Sequence, residues 1–557
     1  MKQLPVGIKD FKAIRNDGNY YVDKSMLIGE ILSKNDKFIS LYTRPRRFGK
    51  SLNLSMLDAF FNIEYKGNTW FDGLEISKHP EYNRYKNVFP VISINLKLGN
   101  PESFEFFMER FNLMLKNIFR KFTYLRDSSK IDNETKEDFN KYYSGKKTVA
   151  DSMIALSDLC LMLESHHNSK VIVLIDEYDG TVNNITDEKL RRKVVSFLGD
   201  TLSPLLKDND SLQMGIVTGV MQITKENIFS GTNNLSVNHI LDKGYDEMFG
   251  FTDKEVKQIC ADYGHPEKFE EAKGWYDGYR FGDADIYNPW SILKYVENNF
   301  ETGTYWANTS GNDLIYKLIL EANKELSDDL RILGSGGTVI RDISTALTFD
   351  DLKDSKYVYS LMAVSGYLKA IPRGQKYDLT TPEGRKCILS IPNRELFFVF
   401  SNLINRAAFV DGGDESKLTD FTVAVTSNDI DAMKESLYKL IMAISSRVLD
   451  NEHSYQAFIT GLLMSLRGNY DVKADFENGR GYSDIMMTKK KGIGPNVVIE
   501  LKRSENDRCL EHDAQTALQQ IKDRDYAHGL EGKTILYGIA FSGKKPFIIS
   551  EENQSSD

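Results

Sequence analysis

This sequence has little cysteine, histidine or proline. Its 557 residues hold 4 cysteines, 8 histidines and 13 prolines. The cysteines (Cys160, Cys260, Cys387, Cys509) are scattered, with no CxxC pair. That argues against a structural zinc site and against a disulfide framework, and it fits a reducing compartment. No apolar run approaches the roughly 20 residues a membrane helix needs. The longest, such as Val171 to Ile175, are strand-sized. The opening MKQLPVGIKD lacks the apolar core of a secretory signal. A cytoplasmic protein without a membrane anchor is expected. Positive charge is not in excess either: 80 acidic residues outweigh 71 basic ones, a net charge of −9. This excludes a surface coated for nucleic acid, though not a local basic groove.

What is present is the composition of an ordinary globular chain, 41% apolar and 27% charged. The length predicts about three or four domains. Through residue 250, short apolar runs alternate with helical patterns. FISLYT (38–43), VISINL (91–96), VIVLID (171–176) and QMGIVTG (213–219) read as buried strands. Segments 51–62, 103–122 and 188–207 read as helices between them. The pattern predicts a mostly parallel sheet covered on both faces. Residues 251–345 read as a helical, aromatic-rich lid or connector. Residues 346–425 read as a helix and short β-ribbon, a winged-helix-like module. Residues 426–557 read as a separate α/β unit.

The stretch RPRRFGKS (44–51) carries the first chemistry. A phosphate-binding loop needs a strand, a loop with exposed backbone N–H groups, and a helix that starts at once. FISLYT and SLNLSMLDAFF supply strand and helix. Gly49 lets the backbone approach a phosphate, Lys50 would reach the β- and γ-phosphates, and the Ser51 hydroxyl would hold Mg²⁺. Arg46, Arg47, Phe48 and Leu52 complete the expected cofactor-binding loop. Arg44 stands where such loops open with glycine, so GKS alone also fits a surface loop. The strand KVIVLIDEYD (170–179) is the expected other half of the pocket. A carboxylate at a strand's C-terminal end lies at the rim where α/β sheets bind ligands. Asp176 would hold the metal, and Glu177 would orient or polarise the attacking water. Thr218, at the end of the next strand, would sense the γ-phosphate or merely end the strand. Asp179 leans to a structural role.

In the C-terminal unit, Asp484 lies on YSDIMMT, and Glu500 and Lys502 share one face of NVVIELKR. If the two strands pair, Asp484 comes alongside Glu500. Two carboxylates would then hold Mg²⁺ or Mn²⁺, with Lys502 positioning water or stabilising charge on a phosphodiester. Taken alone, a D…ExK pattern also fits an exposed strand face.

The motifs RPRRFGKS, LIDEYD, TGV…NIFSGTNNL, WYDGYRFG, YNPWSIL and GYL…IPNRE together resemble bacterial AAA-ATPase-like proteins with a C-terminal PD-(D/E)XK nuclease-superfamily domain. The resemblance covers nearly the whole chain. It implies an AAA-like P-loop ATPase over 1–250 and a restriction-endonuclease-like fold over 426–557. It implies ATP as the nucleotide, where the residues alone say only nucleoside triphosphate. It also implies that the RPRRFGKS form is itself the nucleotide loop, and the same roles for Asp484, Glu500 and Lys502. Glu452 and Gln520, with Gln519 beside it, are softer additions. Where such proteins often carry a basic residue after TGV, this chain has Met221 and Gln222.

The function expected is an ATPase coupled to a Mg²⁺-dependent nuclease-like domain acting on nucleic acid, DNA first. The alternative is an ATP-driven switch whose C-terminal unit binds without cutting. A homo-oligomer is compatible with both. Arg46 and Arg47 would touch phosphates or act on a neighbouring subunit. Tyr276, Tyr279, Trp290 and Trp306 read as a core stripe, His453 as helix packing, His166-His167 as a solvated helix end, and Lys489 to Lys491 as a hairpin turn.

Overall fold

The computed structural model describes residues 2–33, 38–144, 147–207, 209–223, 235–306, 324–334, 336–347, 351, 354–373, 385–397, 399–400, 415–442, 452–463, 466, 469–490 and 494–554. Most of NIFSGTNNL, the YDLT segment, most of the DGGDES turn, Lys491 and the His453 side chain lie outside them. The chain divides into two units, Met1–Thr302 with Arg341–Ile388, and Gly303–Ile340 with Leu389–Asp557.

The first unit is built on five parallel strands: β1 (Phe38–Thr43), β2 (Val91–Asn95), β3 (Val171–Asp176), β4 (Leu212–Gly219) and β5 (Leu235–Asn238). Their order is β2-β3-β4-β1-β5. β1 runs parallel to both β4 and β5, and β3 lies parallel between β2 and β4. Every residue of β3 is buried, as expected of a parallel strand covered on both faces. Helices α1 (Lys50–Phe61), α2 (Phe104–Arg120), α3 (Val149–His167) and α4 (Glu188–Leu206) make the crossovers. The helix caps are written in the sequence: Ser103 accepts from the Phe106 amide, and Thr148 and Asp151 form a capping box. The chain leaves β1 in one direction and returns to its other side at β5. The crevice beyond the carboxyl ends of β1, β4 and β3 is therefore the topological switch point, where open α/β sheets bind ligands.

Three sequence expectations need correcting. A fifth strand, β5, completes the sheet. The WYDGYRFG stretch is only partly helical: Tyr279–Phe281 and Ala284–Ile286 form a hairpin. The helix that follows, α5 (Pro289–Glu297), starts where YNPW places it: Asn288 accepts from the Trp290 and Ser291 amides, and Pro289 fills the first position. Finally, His166-His167 is a half-buried cluster. The Tyr124 hydroxyl lies 2.8 Å from His167 Nε2, and the Ser128 hydroxyl 2.8 Å from His166 Nδ1.

The second unit holds a mixed sheet of β6 (Tyr470–Asn478), β7 (Gly481–Lys489), β8 (Asn496–Arg503), β9 (Lys533–Ser542) and β10 (Lys545–Gln554), in that order. Only β8 and β9 pair in parallel. Helix α7 (Leu510–Asp523) crosses between them, and α6 (Glu452–Leu463) packs near β6, β7 and β8. The last strand was not expected from sequence.

Gly538 decides how closely α7 can approach. It pairs beside Glu500 in the β8–β9 register. A Cβ there would stand 2.2 Å from the Ala514 carbonyl oxygen, a backbone atom that cannot swing aside. Gly538→Ala should destabilise the chain by about 1–3 kcal/mol. Thermal unfolding checks this, at roughly 2–4 °C per kcal/mol.

Candidate functional site

The N-terminal site assembles around Asp176, the last residue of β3. Its two carboxylate oxygens collect donors from four directions. The Ser51 hydroxyl donates at 2.6 Å and the Thr218 hydroxyl at 2.7 Å. The Glu177 amide donates at 3.0 Å and the Asn95 side-chain amide at 3.4 Å. RPRRFGKS and LIDEYD, 125 residues apart from Ser51 to Asp176, are thus brought into contact.

Gly49 caps α1 with φ +82°, a left-handed value that favours glycine. Arg47 (φ +70°) and Glu177 (φ +48°) share that region without being glycine. Strained non-glycine backbone clusters at ligand sites. Lys50 is buried, and its ammonium donates to the Arg44 and Pro45 carbonyls at 2.9 and 2.8 Å. Burial pushes its pKa down to about 8 against the pull of Asp176, Asp179 and Glu177. A bound polyphosphate would supply the anion this desolvated cation lacks. The Glu177 carboxylate pairs with Lys97 at 3.1 Å.

Several predicted residues sit differently from expectation. Phe48 is fully buried, edge-on to Tyr279 and 5.0 Å from Phe281, so its side chain anchors the loop from behind. Only its backbone can face a ligand. Thr218 is 1% exposed and spends its hydroxyl on Asp176, so it acts through that carboxylate. Arg46 is half-buried and Leu52 lies on the first turn of α1, also half-buried. Arg47 is exposed, with its guanidinium 4.1 Å over the Trp290 ring. Trp290 is therefore a partner of the loop, whereas Tyr276, Tyr279 and Trp306 are core. Asp179 is structural: it accepts from the Val220 and Met221 amides at 2.9 and 3.1 Å. Met221 is buried.

Sequence reasoning gave Arg44 no role, and the structure gives it one. It is fully buried, donating to the Asn238 side chain at 2.6 Å and to the Asn238 and Tyr245 carbonyls. The Phe249 and Phe281 rings lie 5.0 and 5.1 Å from the guanidinium. Two glycines also face the loop, Gly366 of the GYL motif and Gly250. A Cβ on Gly366 would meet the Pro45 ring at 2.8 Å, and one on Gly250 would meet Phe48 at 3.0 Å. Arg44 thus does from the side chain what an opening glycine does from the backbone, fixing where the loop leaves β1. Restoring the usual residue should do harm. Arg44→Gly is expected to cost about 2–4 kcal/mol in urea unfolding of the full chain, without tightening nucleotide binding.

In the C-terminal unit, β7 and β8 run antiparallel with Ile485 opposite Ile499, so the next position of the same register sets Asp484 directly across from Glu500. Asp484 accepts from the Leu501 amide at 2.7 Å, and its own amide donates to Glu500 at 3.3 Å. The Lys502 ammonium lies 3.5 Å from Glu500 and 3.4 Å from Glu452. Gln520 on α7 donates to Glu500, while Gln519 turns outward to Asp523. Gln456, one turn after Glu452, donates to the Asp484 carbonyl at 2.9 Å, a contact no sequence signal marked. Among the described residues no group of three or more His, Cys, Asp or Glu is arranged as a ready cation cage. The donor set that fits a hard divalent ion is the Asp484–Glu500 pair, oxygen ligands with Lys502 beside them.

Burial and then the neighbouring Asp484 charge push the Glu500 pKa up to about 8, from an unfolded value of 4.5. Lys502 is raised: burial lowers it, but Glu452, Glu500 and Asp484 outweigh that. A carboxyl raised on folding favours the fold when protonated. Its contribution is complete below 4.5 and is lost as pH climbs through 8. Glu500→Gln should therefore melt with the wild type near pH 4 and above it near pH 9. A divalent cation at pH 9 should raise the wild type and not the variant, as read by calorimetry.

Residues 5–229 match the family described as Predicted AAA-ATPase, and residues 450–551 match the PD-(D/E)XK nuclease superfamily. The chain therefore carries an AAA-ATPase-like region followed by a PD-(D/E)XK-superfamily region. It is similar to an uncharacterized protein in the vnfD 5′ region of Azotobacter chroococcum mcd 1, 27% identical over 327 residues. That match covers 58% of this chain and 56% of the relative, so the chain spans little more than half of the relative's length. Among the described residues no helix is long and apolar enough to cross a membrane.

Proposed function

We propose that the N-terminal site binds and hydrolyses ATP with Mg²⁺, and that the C-terminal site hydrolyses phosphodiesters of nucleic acid, DNA foremost, with Mg²⁺ or Mn²⁺. The observation that carries the first half is the meeting of Ser51 and Asp176 beyond the rim of β3 and β1. A hydroxyl and a carboxylate at that separation can share one cation, and Lys50 and the Phe48 to Ser51 amides can cradle phosphates. Glu177 would then orient or polarise an attacking water. Arg46 and Arg47 bear on the phosphates or on a neighbouring copy. In the C-terminal site a cation would supply Lewis acidity and a more acidic water. Asp484 and Glu500 would hold it, Lys502 would offset charge on the phosphate, and Gln520 and Glu452 keep Glu500 and Lys502 in place.

In this reading the chain works in the cytoplasm as four parts, 1–250, 251–345, 346–425 and 426–557. Nucleotide turnover in the first part controls the last.

Mg-ATP should stabilise the wild type by RT ln(1 + [L]/Kd), about 2.7 kcal/mol at a hundredfold excess over Kd. Lys50→Ala should lose that shift. Glu177→Gln should keep it while slowing hydrolysis about 10²–10⁴-fold. Labelled linear, circular and single-stranded DNA with either cation should be cut by the wild type and not by Glu500→Ala. Cleavage unchanged in Lys50→Ala ends the proposed control. Hydrolysis of ATP with no cleavage under any condition moves the reading to the switch.

A further inference from the structure

Beside the nucleotide site, on the far side of β2, the first unit has a second concavity. β2 is an edge strand of the sheet, and the cavity lies between its carboxyl end and α2. It holds about 380 Å³. That is within the roughly 300–1,000 Å³ of small-molecule sites.

The lining has two characters. Leu113, Met114 and Ile118 form an apolar floor on one face of α2. Leu113 is 54% exposed, unusual for a leucine on a helix whose opposite face packs into a core. Around this floor stand Arg110 and Lys121, at either end of the helical face, and Lys97 after β2, whose ammonium is already paired with Glu177 at 3.1 Å. Arg110 and Lys121 are eleven residues apart, roughly 16 Å along a helix axis. No carboxylate lines the cavity.

From this we infer that the cavity between β2 and α2 is a second ligand site. Its ligand is a small organic phosphate of about nucleotide size. Its apolar body lies on Leu113, Met114 and Ile118. Its phosphate engages Arg110 or Lys121. An apolar solute would leave these two cations unanswered, and a bare inorganic ion would leave the apolar floor wet. Arginine and lysine around a small apolar floor match a phosphorylated organic body better than either. The inference does not depend on ATP hydrolysis at the neighbouring site.

The test is equilibrium binding of N-methylanthraniloyl-AMP to the full chain, read by anisotropy. Arg110→Glu combined with Lys121→Glu should weaken binding by about tenfold or more. Leu113→Asp should do the same without altering the positive charges. All three residues are on the surface, and unchanged melting curves verify the fold. Lys50→Ala should leave binding within about twofold, because the phosphate loop is not the site. Unlabelled AMP and 5′-phosphorylated hexathymidylate compete in parallel arms. AMP displacing the probe more strongly marks a free nucleotide as the source, and the reverse marks a strand end. The inference is overturned if the probe shows no saturable binding up to about 1 mM. It is equally overturned if Lys50→Ala abolishes binding while the Arg110 and Lys121 reversals leave it intact.

Discussion

The carboxylate of Asp176 is the point on which the first unit turns. A buried carboxylate at a strand end is costly unless its oxygens are satisfied. Here the partners come from four separate segments: Ser51 from the start of α1, Thr218 from the end of β4, Asn95 from the end of β2, and the Glu177 amide. Each donor can be present only if its own strand ends in register with β3. The side chain therefore checks the alignment of the sheet's carboxyl rim, and that rim is where a ligand must lie. The demand also fixes Glu177. Donating its amide back to Asp176 while turning through φ +48° sends the next carboxylate outward, toward Lys97.

A second constraint is the exit of the chain from β1. The loop must turn sharply and present amides, and it does so with a single glycine at the helix start. Arg44 makes this workable. Its buried guanidinium ties the first loop residue to the end of β5 and to Tyr245, and aromatic faces lie against it. A guanidinium buried this deeply stays tolerable because its two terminal nitrogens meet carbonyls and an amide oxygen, while Nε is buried without a partner among the described residues. Gly250 and the motif glycine Gly366 then make sense as clearance. They let neighbouring segments close on Phe48 and Pro45 so that the loop has no freedom behind it.

Much of this was legible in the sequence. FISLYT, VISINL, VIVLID and QMGIVTG are apolar runs too short to be anything but buried strands, and they form β1 to β4. The D…ExK spacing placed Asp484 and Glu500 together because side chains alternate along a strand and the turn between is short. What escaped has physical causes. β5 is four residues, LSVN, at the sheet edge, with no residue fully buried, so it lacks the apolar signature. β10 ends in EENQ for the same reason: an edge strand tolerates charge. Gln520 was named from the resemblance, and its place follows from the phase of α7, whose Leu510, Ala514, Ala517 and Ile521 are buried on the sheet. Arg44 was invisible because a motif describes what touches the phosphate and says nothing of what holds the loop.

The two sites handle buried carboxylates in opposite ways, and the contrast bears on how each would take a cation. At Asp176 four neutral donors point at the oxygens, so the group is supported where it stands. At Glu500 the donors are fewer: Gln520, the Asp484 amide, and Lys502, which Glu452 shares. Asp484 adds a like charge. The cheapest answer for an isolated pair is to keep a proton on Glu500, which is what a pKa near 8 describes. A divalent cation arriving between the two oxygens would replace that proton and reverse the repulsion in one step. Any divalent affinity of this pair would then rise with pH through the same range in which the cation-free fold loses stability. The burial that makes Glu500 awkward without a cation is the burial that would make the pair selective for one.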